Sequence, residues 1–334
     1  MQFKVNAEDF VKLLQYPDSI AVRIGNGILA ANARLKGLET MVAFSIKSDE
    51  PVTDFFAVTM TAPALYFKTV KGDITVELKP NSISFTSGMM LVEVPINRDI
   101  LADFELPPFD EEHAQLVDKF TRIGLRSMLS TMSEVSKTLM DYSGTVVRLH
   151  NGSAVLVNNS MCVECAVHLP DMCVSASAML SMLSLTNAAN KLVYTYDDVY
   201  VVFATDDIVI RIPKCSYPGS PVNADILLGR EVKEIEVTEV KHPGLSESLK
   251  ALASFKDANS AALIYNETDM EFSMRGNGYS ITPTIQGHTI FINPRVLIML
   301  GKFLCSDEYT IKRGDKYVCL CVAERKLTVC ATSY

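Results

Sequence analysis

At 334 residues and 48% hydrophobic content, the chain holds enough apolar material for three domains of about a hundred residues each, near the commonest domain size. Its formal charge is −8, from 39 acidic and 31 basic residues, which excludes a protein coated in Lys and Arg that adheres to nucleic acid at large. No apolar run reaches the roughly 18–20 residues a spanning helix needs and MQFKVNAEDF is no signal peptide, so a soluble, cytoplasmic protein with no membrane partner is expected.

The predicted elements repeat. The first unit opens on a helix-like segment Asn6–Tyr16, where Phe10, Val11, Leu13 and Leu14 share one face and Pro17 stops the run. Strand-like Ile20–Asn32, Thr40–Lys47 and Phe55–Thr59 follow, then a helix Thr61–Lys71 and strands Ile74–Leu78, Ser82–Thr86 and Met90–Ile96. The second unit reads as helix Leu125–Asp141, strands Thr145–Leu149, Ala154–Asn158, Cys162–Leu169 and Met172–Ser175, and helix Ala176–Ala188. It closes with strands Leu192–Tyr196, Tyr200–Thr205 and Ile208–Pro213. The third reads as helix Leu245–Ala258, strands Ala261–Tyr265, Glu271–Arg275, Tyr279–Gln286 and Thr289–Ile292, helix Asn293–Phe303, and strands Tyr309–Arg313, Tyr317–Val322 and Lys326–Ala331.

Strand is read from alternation, as in Ile74, Val76 and Leu78 against Thr75, Glu77 and Lys79. Gly27, Gly88, Gly152 and Gly314 fall where hairpins must turn. Pro63 and Pro294 sit near the first turns of two helices, where a missing N–H costs nothing. The last strand of each unit lies near Leu91, Ile208 and Leu327, steps of 117 and 119 residues. This gives an α+β chain of three repeated domains, residues 1–107, 108–220 and 221–334, each with two helices on antiparallel sheets.

Catalytic chemistry is not in view. No GxSxG, P-loop, HExxH or strand-to-helix GxGxxG occurs, and His113, His150, His168, His242 and His288 lack metal-ligand spacing. Asp197-Asp198 and Asp206-Asp207 could suggest a metal-ion site, but both flank a hairpin, where turn chemistry explains them better. The eight cysteines read as reduced, small apolar residues; Cys162 and Cys165 have redox or zinc spacing but project from opposite faces of a strand, with no second pair to complete four ligands. The chain is expected to be no enzyme and to carry no metal and no cofactor.

Charge placement is more informative than net charge. The second helix of each unit, with its flank, carries Lys68, Lys71, Lys191, Arg295 and Lys302 and no acidic residue. The first helices carry Arg126, Lys137, Lys250 and Lys256, diluted by Glu134, Glu247 and Asp257, and Lys12 beside Glu8 and Asp9. Any one of these helices could be an ordinary amphipathic helix with solvated lysines. Their repetition at equivalent places predicts a basic face for phosphate, sequence-independent and weakened by salt. With no Trp and no aromatic series along it, that face suits duplex backbone better than stacked single strands.

The chain resembles the DNA polymerase sliding clamps in the three-domain form of the bacterial beta clamp, as a divergent bacteriophage version. The resemblance covers the whole chain. It rests on the repeat, on Met1-Gln2-Phe3-Lys4-Val5 with Asp9-Phe10-Val11-Lys12-Leu13-Leu14 as an opening strand and helix, and on Leu101-Ala102-Asp103-Phe104-Glu105-Leu106-Pro107 at the first domain's end. Ile212-Pro213 with Tyr217-Pro218, and the His150-Asn151-Gly152 hairpin, complete it. It implies a head-to-tail homodimer closing a six-domain ring around double-stranded DNA, half of it from each chain, that tethers a DNA polymerase and is opened by a clamp loader. The implied DNA-facing residues are Lys68, Lys71, Arg126, Lys137, Lys191, Lys250, Lys256, Arg295 and Lys302. The implied cleft for a partner peptide comprises His150, Asn159, Ser160, Met161, Tyr217, Pro218, Val222, Val329, Cys330, Ala331 and Thr332. The chain departs from the family there, reading Asn158-Asn159-Ser160-Met161-Cys162 and Cys330-Ala331-Thr332-Ser333-Tyr334. Two other readings are a clamp-like processivity subunit that binds DNA as a monomer or in another stoichiometry, and a virion or scaffold protein built of repeated mixed domains.

Overall fold

A computed structural model describes residues 2–7, 20–25, 28–33, 41–45, 54–58, 69–97, 109–136, 146–157, 161–206, 208–215, 236–255, 257–314 and 317–330. Among these are four helices and twenty-four strands, numbered in chain order, and every ladder is antiparallel, so the fold is α+β. Two compact units form, Met1–Val117 with Ser181–Lys214, and Asp118–Leu180 with Cys215–Tyr334.

The first unit contains β1 (Gln2–Asn6), β2 (Ile20–Gly25), β3 (Ile28–Ala33), β4 (Met41–Ser45), β5 (Asp54–Val58), β6 (Asp73–Leu78), β7 (Ser82–Ser87), β8 (Met90–Asn97) and β9 (Gln115–Leu116). With β14 (Val193–Tyr196), β15 (Tyr200–Ala204) and β16 (Ile208–Pro213) they make a twelve-stranded sheet ordered β1-β6-β7-β8-β5-β2-β3-β4-β16-β15-β14-β9. Alternation in β6 buries Ile74, Val76 and Leu78 and exposes Asp73 and Glu77. Gly88 turns β7 into β8 with φ +56°, a left-handed conformation that glycine adopts freely.

The second unit contains α1 (Lys119–Ser136), β10 (Val146–His150), β11 (Ser153–Val157), β12 (Met161–Ala166) and β13 (Met172–Ser175). It continues with β17 (Glu236–Lys241), α3 (Leu245–Leu252), β18 (Ser260–Tyr265), β19 (Met270–Gly276), β20 (Tyr279–Ile281), β21 (His288–Ile292), α4 (Val296–Lys302), β22 (Glu308–Arg313), β23 (Tyr317–Val322) and β24 (Arg325–Cys330). An eight-stranded sheet runs β13-β10-β11-β12-β24-β23-β22-β17 and a four-stranded one β20-β19-β18-β21. Helix α2 (Ala176–Leu185) begins in this unit and ends in the other. Helices α3 and α4 pack so closely that a Cβ on Gly301 would stand 2.4 Å from the Leu249 carbonyl oxygen.

The same order of strands recurs: β5-β2-β3-β4, β13-β10-β11-β12 and β21-β18-β19-β20, and again β1-β6-β7-β8, β9-β14-β15-β16 and β17-β22-β23-β24. Two joints link these groups. β4 pairs with β16 from Met41↔Arg211 to Phe44↔Ile208, and β12 pairs with β24 from Met161↔Val329 to Cys165↔Arg325. The two halves of segment 108–220 are therefore bonded to different neighbours, which is why the compact units divide it. Among the described residues, Met90–Pro95 of β8 pair with β7 alone, and β20 pairs with β19 alone.

Several boundaries differ from the expectation, each for a local reason. Helix α1 starts at Lys119 rather than Leu125, because Asp118 caps it and Gly124 sits inside it against Cys165. β20 stops at Ile281 rather than running to Gln286. Pro283 cannot donate to a ladder, and the Glu271 carboxylate takes the N–H groups of Thr284 at 2.6 Å and Ile285 at 3.3 Å. The expected helices Asn6–Tyr16 and Thr61–Lys71 lie almost wholly outside the described residues.

Candidate nucleic-acid interface

Helix α1 presents the densest described group of basic residues on one element. Lys119, Arg122 and Arg126 are spaced i, i+3, i+7, which places them on one face, in line with Ser130 and Ser133. The opposite face buries Leu125, Met128, Leu129, Met132 and Val135. Of the three basic residues only Arg126 was named from the sequence; Lys119 and Arg122 were missed with the first turns of the helix. The capping signal Asp118-x-x-Thr121 was there to find.

The start of α1 is tied down by a small polar network. Asp118 accepts from the Thr121 N–H at 2.9 Å and the Thr121 hydroxyl at 2.8 Å, and its other contact is His168 Nδ1 at 3.0 Å. The Thr121 hydroxyl oxygen in turn accepts from the His168 N–H at 2.9 Å. Burial pushes the Asp118 carboxyl up, but the hydrogen bonds from Thr121 and His168 together hold it below the ordinary range. The network orients the first turn, and with it Lys119 and Arg122.

The other candidates are distributed as follows. Lys71 and Lys191 are exposed in the first unit, ahead of β6 and β14. In the second unit Lys250 is exposed in the last turn of α3, and Arg295 is half-buried at the N-cap of α4. Arg295 helps line an open cavity of about 280 Å³ with Phe255, Asn259, Asn293 and Ile298. Lys302, in the last turn of α4, is ion-paired with Glu134 of α1, so part of its charge is spent inside the protein. Lys12, Lys68, Lys137 and Lys256 lie outside the described residues.

The candidate peptide cleft is partly visible. Met161 and Val329 are both fully buried and stand directly opposite one another across the β12–β24 joint. His150 is not beside them. It aligns through Ser153 with Ala166, five residues along β12 from Met161, or about 17 Å at the rise of an extended strand. His150 instead contacts Asp171 at 2.6 Å, and the same carboxylate accepts from the Asn151 N–H at 2.9 Å, fixing the β10–β11 turn. Cys330 ends β24, and Asn159, Ser160, Tyr217, Pro218, Val222, Ala331 and Thr332 lie outside the described residues.

The remaining polar candidates are structural. Asp197 accepts from the N–H groups of Val199 and Tyr200, each at 2.7 Å, as a turn residue does. Cys162 and Cys165 are buried, with thiols pushed up to about 12 by burial. Among the described residues no three metal-ligating side chains gather, and no helix is long and apolar enough to cross a membrane.

No family model matches the chain, and no curated protein matches it in sequence. Its structure is another matter. It is similar over 100% of both chains to a putative DNA polymerase III beta subunit from Eubacterium rectale, with TM-score 0.76 at 10% identity. It is equally coextensive with the Helicobacter pylori beta clamp bound to a DNA ligase peptide, with TM-score 0.71 at 12% identity. The Thermotoga maritima DNA polymerase III beta subunit gives TM-score 0.71 at 15% identity, over 100% of this chain and 99% of that one. Across its whole length, at a sequence identity too low to align on its own, this chain has the fold of the bacterial DNA polymerase III beta subunit, the sliding clamp.

Proposed function

We propose that the chain is a DNA sliding clamp, a ring that encircles duplex DNA and tethers the replicative polymerase to its template. The observation that carries this reading is the coextensive match, which covers 100% of both chains. In this reading residues 1–107, 108–220 and 221–334 are three clamp domains, and the recurrent strand orders support that division. The chain works without catalysis, by topology. DNA polymerase and the clamp loader are its partners, and its place is the cytoplasm of a bacterium or of a phage-infected cell.

The two internal joints indicate how a second copy would close the ring. Arg211 meets Met41 at one joint and Thr328 meets Cys162 at the other. Arg211, Thr328 and Glu93 are equivalent in their hairpins, where they pair with Val202, Cys319 and Ser84. A third joint of the same kind sets β8 of one copy antiparallel against β20 of the other. The edge that would be covered is apolar: Met89, Met90 and Leu91 are 105%, 51% and 61% exposed, which an edge strand left open would not tolerate well. Such an interface is isologous in neither half but closes because two arcs meet head to tail twice.

The DNA face in this reading is built from Lys68, Lys71, Arg126, Lys137, Lys191, Lys250, Lys256, Arg295 and Lys302, joined by Lys119 and Arg122. Long cationic side chains on phosphate carry no sequence information, as a sliding ring requires. The partner peptide takes the cleft at the β12–β24 joint, beside Met161 and Val329. Sedimentation equilibrium tests the assembly. Twice the 36.8 kDa chain mass is expected, and Leu91→Glu together with Met90→Glu should give the single-chain mass with the domains still folded. A wild-type monomer, or a double variant that stays dimeric, contradicts the proposed joint.

A further inference from the structure

Two thiols have no part in the clamp reading. Cys319 and Cys321 are two residues apart on β23, so they project from the same face of the sheet, with sulfurs 3.6 Å apart. Leu320 between them is fully buried on the opposite face. On the neighbouring strand Cys319 stands opposite Thr328, and Cys321 opposite Lys326. Those two stand opposite Cys162 and Glu164 on β12, with Lys326 Nζ 3.3 Å from Glu164 Oε1. A hydroxyl and an ammonium thus flank a pair of half-buried thiols.

That surrounding separates the two sulfurs chemically. The Cys319 thiol is lowered, chiefly by its contact with Cys321. The Thr328 hydroxyl and the Lys326 charge act in the same direction, and burial acts against them. The Cys321 thiol is raised, by that same contact and by burial. Burial instead pushes Cys162 and Cys165 up to about 12 and raises Cys173 and Cys215.

We propose that Cys319 and Cys321 form a peroxide-sensitive dithiol on β23, with Cys319 as the attacking thiolate and Cys321 as the resolving thiol. The Cys319 sulfur attacks one oxygen of a hydroperoxide; the O–O bond breaks, hydroxide or alkoxide leaves, and two electrons pass from sulfur to the peroxide, leaving a sulfenic acid. The Cys321 sulfur then attacks the Cys319 sulfur. The S–S bond forms, the S–O bond breaks, and the departing hydroxide leaves as water with the Cys321 proton. Residues i and i+2 of a strand have Cα atoms about 6.6 Å apart. That is at the upper end of the span a disulfide bridges, so the bond closes with a small adjustment and is readily reduced. Since β23 pairs with β24, oxidation acts beside the joint that β24 makes with β12.

Trypsin isolates both residues in one peptide, Tyr317–Arg325, which holds no other cysteine. The reduced full chain is exposed to hydrogen peroxide near neutral pH and mapped by mass spectrometry, with and without dimedone. The expected result is a loss of two hydrogens in that peptide, reversed by dithiothreitol and several-fold faster than oxidation of the exposed Cys215. Cys321→Ser should trap a dimedone adduct on Cys319, and Cys319→Ser should show neither product. Oxidation that follows exposure, with Cys215 reacting first, overturns the proposal, as does a two-hydrogen loss that survives Cys319→Ser. The wild-type map decides alone if a serine variant does not fold.

Discussion

Asp118 shows how much one side chain can set. It accepts from the Thr121 N–H and hydroxyl at the start of α1 and contacts His168 Nδ1, and its removal leaves both Thr121 donors without that acceptor. Asp118→Ala should cost about 1 kcal/mol, the usual loss of a helix cap, read as a lower denaturant midpoint at unchanged slope. Because the carboxyl is held below its ordinary value, its contribution is fully present above the unfolded carboxylate range and is lost as pH falls through the lowered value. The wild-type advantage over Asp118→Ala should therefore fade in acid and persist at neutral pH. Arg126 makes a separate test on the same helix. If it lies on phosphate, Arg126→Ala should weaken duplex binding equally for all sequences and flatten the log–log salt dependence by about 0.9, one contact's worth. A change that varied with sequence would mean base readout instead.

At the scale of elements, the crossing of α3 and α4 depends on a missing side chain. Gly301→Val would drive its Cβ into the Leu249 carbonyl and the Ala253 Cβ, at 2.4 and 2.7 Å. The helices must separate, at a cost of roughly 1–3 kcal/mol as for other overpacked cores, seen as a lower thermal midpoint. What the sequence disclosed follows the same physics. Strands with clean alternation, such as β6, and hairpins with glycine turns were legible to within a residue or two. β17 was not: its Glu-Val-Thr-Glu-Val-Lys alternates, but buries only Val240 and reads as linker. β9 has two residues and is recognisable only by its pairing with β14. The DNA-facing candidates could be named because charge is local. The ion pair that occupies Lys302 could not, because Glu134 is 168 residues away in the chain. His150 and Met161 were grouped by resemblance, and only the strand register reveals the length of β12 between them.

At the scale of the whole molecule, the repeat accounts for both continuity and incompleteness. Two joints tie the strand groups together, and among the described residues Met90–Pro95 of β8 pair with β7 alone and β20 with β19 alone. In the proposed clamp a second copy covers both edges, and a ring that acts by topology needs no site for chemistry. Held by topology, such a ring can bind phosphates weakly and still stay on DNA, since it need only slide. The direct test is retention on nicked circular duplex against the same DNA linearised, after loading and a wash at high salt. Retention on the circle that is lost when the DNA is cut is the expected result; equal loss from both, or equal retention on both, would contradict an encircling clamp.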